Sequence, residues 1–276
     1  MKIIPLLLGA SALYPALCSA TLIYGLTSNN GLISFDSASP GSITNIGTIS
    51  QAGIRDIDFY PVNGLLYGST SNGNLYRISV VDGTSVLAAT PSLAISGLTD
   101  IDFNPVPDRL RIFAAGNQNY RMAPDVFTNN ATAPGTTLLD GSFSNSSVNL
   151  VGSAYTNNVD GASTTALYSI DSISNALFLH SVAPQFNTVN SVGGLGFDVG
   201  LNVGFDVAQS GAAFLSDDQS FYSINLATGA TSLIGNVGGS GLVSIAALAV
   251  PEASTTSILA LATLCAFRRR RAGGKM

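Results

Sequence analysis

Few side chains in this 276-residue sequence can do acid–base or nucleophilic chemistry. Its one histidine, His180, sits in the apolar stretch "NALFLHSVA". A serine triad needs a histidine beside the nucleophile, and no Gly-x-Ser-x-Gly elbow occurs. A zinc centre needs histidine or cysteine partners, and the segment Thr21 to Val250 offers none beyond His180. His180 therefore reads as a strand residue. Paired carboxylates for glycoside hydrolysis would have to be aspartates, because the single glutamate is Glu252. Asp58, Asp102 and Asp206 recur at corresponding points of repeated phrases, which favours a structural duty such as strand-end hydrogen bonding. The sequence implies no metal and no cofactor; a structural calcium held by aspartate oxygens is the one exception, and no Asp-x-Asp-x-Asp-Gly loop is present to supply it. Gly193-Gly194-Leu195-Gly196 reads as a turn, without the helix that cradling a phosphate requires.

The arginines stand out instead. Between Thr21 and Val250 there is no lysine, and Arg55, Arg77, Arg109, Arg111 and Arg121 face fifteen aspartates. Three of the five fall within "TDIDFNPVPDRLRIFAAGNQNYR", Thr99 to Arg121, beside Asp100, Asp102 and Asp108. In a strand, Ile101 and Phe103 share one face and Asp100, Asp102 and Asn104 the other; Arg109 and Arg111 likewise separate from Leu110 and Ile112. Paired antiparallel, the acids and bases would meet across strands, where an opposite pair contributes roughly 0.2–1 kcal/mol. On that reading the arginines neutralise carboxylates within one sheet. On the other, Asp102, Asn104, Arg109, Arg111, Asn119 and Arg121, with Asn117, form a site in which guanidinium forks bind an anionic or sugar ligand. So acidic a body has no basic patch for a nucleic acid.

Strands must position these groups. The chain is 46% hydrophobic and 10% charged, poor in the helix formers Lys and Glu, and rich in Gly, Ser, Thr and β-branched residues. "RDIDFYP" at Arg55 to Pro61 returns as "TDIDFNP" at Thr99 to Pro105; "VGSAYTN", "NVGFDVA" and "IAALAVP" are fainter echoes. Three strand patterns follow each full copy, such as "LLYGST", "NLYRISV" and "SVLAAT", with turn signals at Asn72-Gly73, Asp82-Gly83 and Thr228-Gly229. A period of roughly 40 to 50 residues with four short strands marks a β-propeller blade. The body opens with three strands, Thr21 to Leu26, Leu32 to Phe35 and Ile43 to Ile49, and ends on the missing phrase, Ile245 to Val250. The expected fold is thus all-β, a propeller of about five blades closed by its N- and C-terminal strands. Tandem β-sandwiches are the rival architecture.

The two ends predict export. "MKIIPLLLGASALYPALCSA" has a lysine, an apolar run and small residues before a cleavage point at Ala20, as a helical signal peptide over 1–20 would. Removal of Cys18 would leave a body, 21–250, free of disulfides. In 251–276, Pro251 and Glu252 precede an apolar segment, 255–267, and then Arg268, Arg269, Arg270 and Arg271. Counted from Ala253 the run is about 15 residues, roughly 22 Å of helix against a ~30 Å hydrocarbon core, so a short transmembrane helix with a cytoplasmic basic end is expected. This three-part tail resembles the PEP-CTERM sorting signal of Gram-negative bacteria, with Ala253 where that motif has its second proline. The resemblance implies a transient inner-membrane anchor, processing by an exosortase after signal peptidase, and a destination at the cell surface or in the extracellular matrix.

The body resembles a second family. "DFNPVPDRLRIFAAGNQNYR", with "SAYTNN" at Ser153 to Asn158 and "GFDV" at Gly204 to Val207, is similar to the bacterial secreted domain of unknown function 4394. That family brings no assigned catalytic residues. The expected function is a binding or structural module, with extracellular polysaccharide as the natural partner. A polysaccharide-acting enzyme using aspartates at the propeller mouth is the alternative, and a passive matrix component the third reading.

Overall fold

The computed structural model describes residues 20–125 and 132–248. The expected signal helix over residues 1–19, the sorting residues Pro251, Glu252 and Arg268 to Arg271, and the 255–267 segment lie outside them. Among the described residues no helix is long and apolar enough to cross a membrane.

Twenty strands make five antiparallel sheets of four among the described residues. Blade 1 begins with β1 (Leu22–Thr27), β2 (Gly31–Asp36) and β3 (Thr44–Thr48). Blade 2 runs through β4 (Ile54–Tyr60), β5 (Leu65–Thr70), β6 (Leu75–Ile78) and β7 (Ser85–Ala89). Blade 3 holds β8 (Leu98–Asn104), β9 (Arg109–Ala114), β10 (Gln118–Met122) and β11 (Thr137–Ser142). Blade 4 holds β12 (Leu150–Tyr155), β13 (Leu167–Asp171), β14 (Ala176–Ser181) and β15 (Thr188–Gly194). Blade 5 holds β16 (Val203–Val207), β17 (Ala213–Asp217), β18 (Ser220–Ile224) and β19 (Thr231–Asn236). The last strand, β20 (Leu242–Leu248), then pairs with β1, from Leu22 opposite Leu248 to Leu26 opposite Ser244. The ring is closed by the two ends of the body, and the architecture is a five-bladed propeller. Gly193 and Gly194 end β15 rather than forming a turn.

Sequence patterning explains the layers. Outer strands such as β3 and β19 are mostly exposed, whereas the inner strands are buried on both faces. Five apolar clusters hold the blades, one at each interface. Between blades 2 and 3, Tyr60 stacks on Phe103 with ring centroids 4.6 Å apart. Burying each such ring stabilises by about 1.5–3 kcal/mol.

Carboxylates finish the joints. The inner edge of each innermost strand carries N–H groups with no further strand to pair them, and buried donors need partners. Asp58 accepts from Phe103 N at 2.8 Å, Asp102 from Tyr155 N at 3.1 Å and Asp206 from Ala247 N at 2.6 Å. Each of these bonds reaches from one blade to the next. Asp56 accepts from Ile101 N and Ser244 Oγ from Ile57 N, while Asp100 takes the Ser153 hydroxyl. Gly204 occupies the place of Asp56 in blade 5, where a Cβ would lie 2.5 Å from Ile245 N. Blades 5 and 1 approach there too closely for any side chain.

Candidate functional site

The candidate site grows out of blade 3. In register, Arg109 stands opposite Asn104 and Arg111 opposite Asp102 across β8 and β9, while Arg111 also stands opposite Arg121 of β10. Adjacent arginines repel unless an anion lies between them. Asp140 supplies it, at 2.6 Å from Arg111 Nη1 and 3.3 Å from Arg121 Nε, its side chain 2% exposed. Asp140 is the extra residue of a β-bulge in β11, between Leu139 opposite Tyr120 and Gly141 opposite Asn119. Bulges re-aim side chains in this way. The carboxylate therefore points to the arginines, although regular alternation would not place it there.

The expected cross-strand pairing of Asp102 with Arg111 is thus replaced. Asp102 turns toward the axis and accepts from Tyr155 N, because the unpaired edge of β12 needs its carboxylate more than Arg111 does. Arg111 donates from Nε to Tyr155 Oη at 3.0 Å and from Nη1 to Asn119 Oδ1 at 2.8 Å, in addition to Asp140. These bonds use Nε and Nη1, and among the described residues Nη2 has no hydrogen-bond partner. Arg109 donates to the Pro107 and Asp108 carbonyls and to Thr132 Oγ1, partners that carry no formal charge.

A cavity of about 400 Å³ opens over this group at the blade 3–blade 4 junction. Asn104, Arg109, Arg111 and Arg121 line it, and among the described residues no carboxylate does. Gln185 and Phe186, from the β14–β15 connection, line it as well, with Val182. Phe186 is wedged edge-on to Tyr155 (centroids 5.4 Å apart), and the Arg111 guanidinium lies 5.4 Å from its ring centre. Both Gln185 and Phe186 hold left-handed backbone, with φ of 45° and 61°. For a bulky residue that conformation costs of order 1–3 kcal/mol and persists only where the surroundings enforce it.

Two residues enforce it. Asn119, fully buried, donates to the Gln185 carbonyl at 3.0 Å and to Asn187 Oδ1 at 2.6 Å. His180 Nδ1 lies 2.7 Å from the Phe186 carbonyl, which can only accept, so Nδ1 carries the proton and Nε2 accepts from Ser169 Oγ. Burial pushes the imidazole down to about 4, which keeps it neutral. His180 lies within β14, as the sequence suggests, and its task is to position the wall of the cavity.

Of the residues singled out in the sequence, the fold brings Asn104, Arg109, Arg111 and Arg121 to one cavity and sets Asn119 behind it. Asp102 lies apart at the axis, and Asn117 sits in the β9–β10 turn with its amide toward Ser146 O. Asp140, Gln185, Phe186 and His180 complete the site without any sequence motif to announce them. The cue nearest to one was Gly141, whose φ of 109° accompanies the bulge.

A second acidic group gathers on the axis. Asp58, Asp102 and Asp206 offer oxygens within 4.8 Å of one another, all buried. Loss of water, then mutual repulsion, pushes Asp58 and Asp102 well above the ordinary carboxylate range, and burial brings Asp206 to about 7. Three carboxylates are a hard-oxygen donor set of the kind calcium uses. Each also accepts a backbone N–H, so the blade joints account for their presence.

A family model described as a domain of unknown function, DUF4394, matches residues 22–249. No curated protein matches. Among solved structures, the chain is similar to an auxiliary nutrient binding protein from Bacteroides thetaiotaomicron, at 16% identity and a TM-score of 0.43. That alignment covers 70% of this chain and 56% of the other, so the chain spans little more than half the length of that protein.

Proposed function

The chain belongs to the DUF4394 family, and we propose that it is an exported binding module whose arginine cavity takes the acidic groups of an extracellular polysaccharide. One observation carries this reading: three of the body's five arginines converge on a cavity that, among the described residues, no carboxylate lines. Guanidinium forks suit carboxylate and sulfate geometry. The buried Asp140 bridges two of them, and the apolar Phe186 and Val182 suit the face of a sugar ring. The strained wall argues for a preformed pocket, which lowers the ordering cost of binding.

Export and sorting are part of the proposal. The N-terminal segment ending at Ala20, and the tail with Pro251, Glu252 and Arg268 to Arg271, support passage through signal peptidase and an exosortase to the cell surface or matrix. Mass spectrometry of the mature protein from fractionated cells is expected to find a terminus at Thr21 and loss of the segment after Glu252. Full-length protein in the cytosol would contradict the sorting scheme.

For the cavity, calorimetric titration of the protein with an oligouronate and with a neutral glucan of equal length is the test. The acidic ligand alone is expected to bind, and Arg121→Ala to weaken it about 10- to 100-fold by removing a charge-assisted contact. Equal affinity for both glycans, or an unchanged Arg121→Ala variant, would sink the proposal.

A further inference from the structure

At the opposite end of the inner strands lies a larger basin of about 680 Å³, and every blade contributes to it. β8 separates it from the arginine cavity: Leu98 and Thr99 line the basin, and Asn104 the cavity. Four of the five inner strands carry a β-bulge at the same place. Arg55, Thr99, Val151 and Val243 are the extra residues, each skipped by the register of the neighbouring strand. All four line the basin. A bulge interrupts ladder pairing and redirects a side chain, and recurrence in four blades at one mouth is the mark of a built rim. The sheet alone does not need it, since β16 of blade 5 pairs with β17 without a bulge.

The lining chemistry is specific. Arg55 is exposed, and among the described residues its guanidinium has no hydrogen-bond or ion-pair partner. Among the described residues no carboxylate lines the basin, in a body that is otherwise acidic. Asp56 and Asp100, the next residues along their strands, are buried and committed to the blade joints. Around Arg55 stand neutral hydroxyls and amides, including Ser28, Thr99, Asn149 and Asn202. Such groups donate and accept in equal measure, as hydroxyl-rich ligands require. The volume lies within the ~300–1,000 Å³ of small-molecule sites.

We propose that this axial basin is a second ligand site, for a hydroxyl-rich monoanion of sugar-acid size, with Arg55 as its charge partner. It differs from the arginine cavity in its single cation, and the two sites fail or succeed separately. The probe is methyl β-D-glucuronide, with methyl β-D-glucoside as the neutral control, titrated into the ¹⁵N-labelled full chain. The glucuronide is expected to shift the amides of Arg55, Thr99, Val151 and Val243. Arg55→Gln, an exposed change that leaves the folded spectrum intact, should weaken that titration about tenfold or more by removing the charged hydrogen bond. The same variant should leave the glucoside titration unchanged, and Arg121→Ala should leave the basin titration unchanged. Tighter binding of an oligoglucuronide would assign the natural ligand to polymer ends, and equal binding to free sugar acids. An Arg55→Gln variant that binds the glucuronide like the parent, shifts confined to Arg109, Gln185 and Phe186, or no shifts at all would each overturn the assignment.

Discussion

At His180 and Asp206, burial acts on pH dependence in opposite directions. The imidazole is pushed down to about 4, whereas a histidine in the unfolded chain titrates near pH ~6.5. Between those values the unfolded chain binds more protons, so this residue makes stability fall as pH falls. Asp206 is pushed up to about 7, whereas an unfolded aspartate titrates near pH ~3.9. Across that window the folded chain holds the extra proton, and stability falls as pH rises. Urea unfolding at pH 5 and pH 7.5 separates the two. Asp206→Asn is expected to lose about 1–3 kcal/mol at pH 5, where an N–H acceptor is missing, and less at pH 7.5. His180→Gln keeps a donor for Phe186 and should show its larger loss at pH 7.5. Parallel losses in both variants would mean that neither group titrates as its burial demands.

At the scale of the strands, departures from regularity matter more than the regular ladder. The bulge in β11 turns Asp140 onto the arginines, and the left-handed β14–β15 connection brings Phe186 over them. Neither was legible in the sequence. A bulge shifts alternation by one residue without a distinctive residue type, and the wall comes from a connection some 66 residues away from Asn119. The repeated strands, by contrast, were legible, because inner-strand phrases such as "RDIDFYP" meet the same demands in each blade. Strand alternation predicts the Cα register that sets Asp102 opposite Arg111 but not the side-chain partner, since free strand edges compete for the aspartates. Gly204 tests the joint geometry at this scale. Gly204→Ala would drive a Cβ against the backbone of β20 and is expected to cost about 1–3 kcal/mol, read as a lower urea midpoint with an unchanged slope. A neutral result would show that blades 5 and 1 are not in such close contact.

For the whole molecule, closure by β20 beside β1 follows from a body that opens with three strands and ends with one. The period foretold that arrangement; it did not foretell that aspartates of separate blades would meet on the axis, since proximity across a ring leaves no spacing to read. Deleting Leu242–Leu248 opens the ring between blades 5 and 1 and exposes their shared apolar cluster. Loss of a single cooperative unfolding transition is expected, and retention of the parent transition would refute closure. The closed ring in turn fixes blade 4 against blade 3 and thereby shapes the arginine cavity. The most direct measurement of that cavity's role is a crystal structure of the protein grown with an oligouronate. A sugar carboxylate is expected within about 3 Å of Arg111 Nη2 and the Arg121 guanidinium, with the ring resting on Phe186. A saccharide bound elsewhere, with no sugar carboxylate at Arg109, Arg111 or Arg121, would contradict the account.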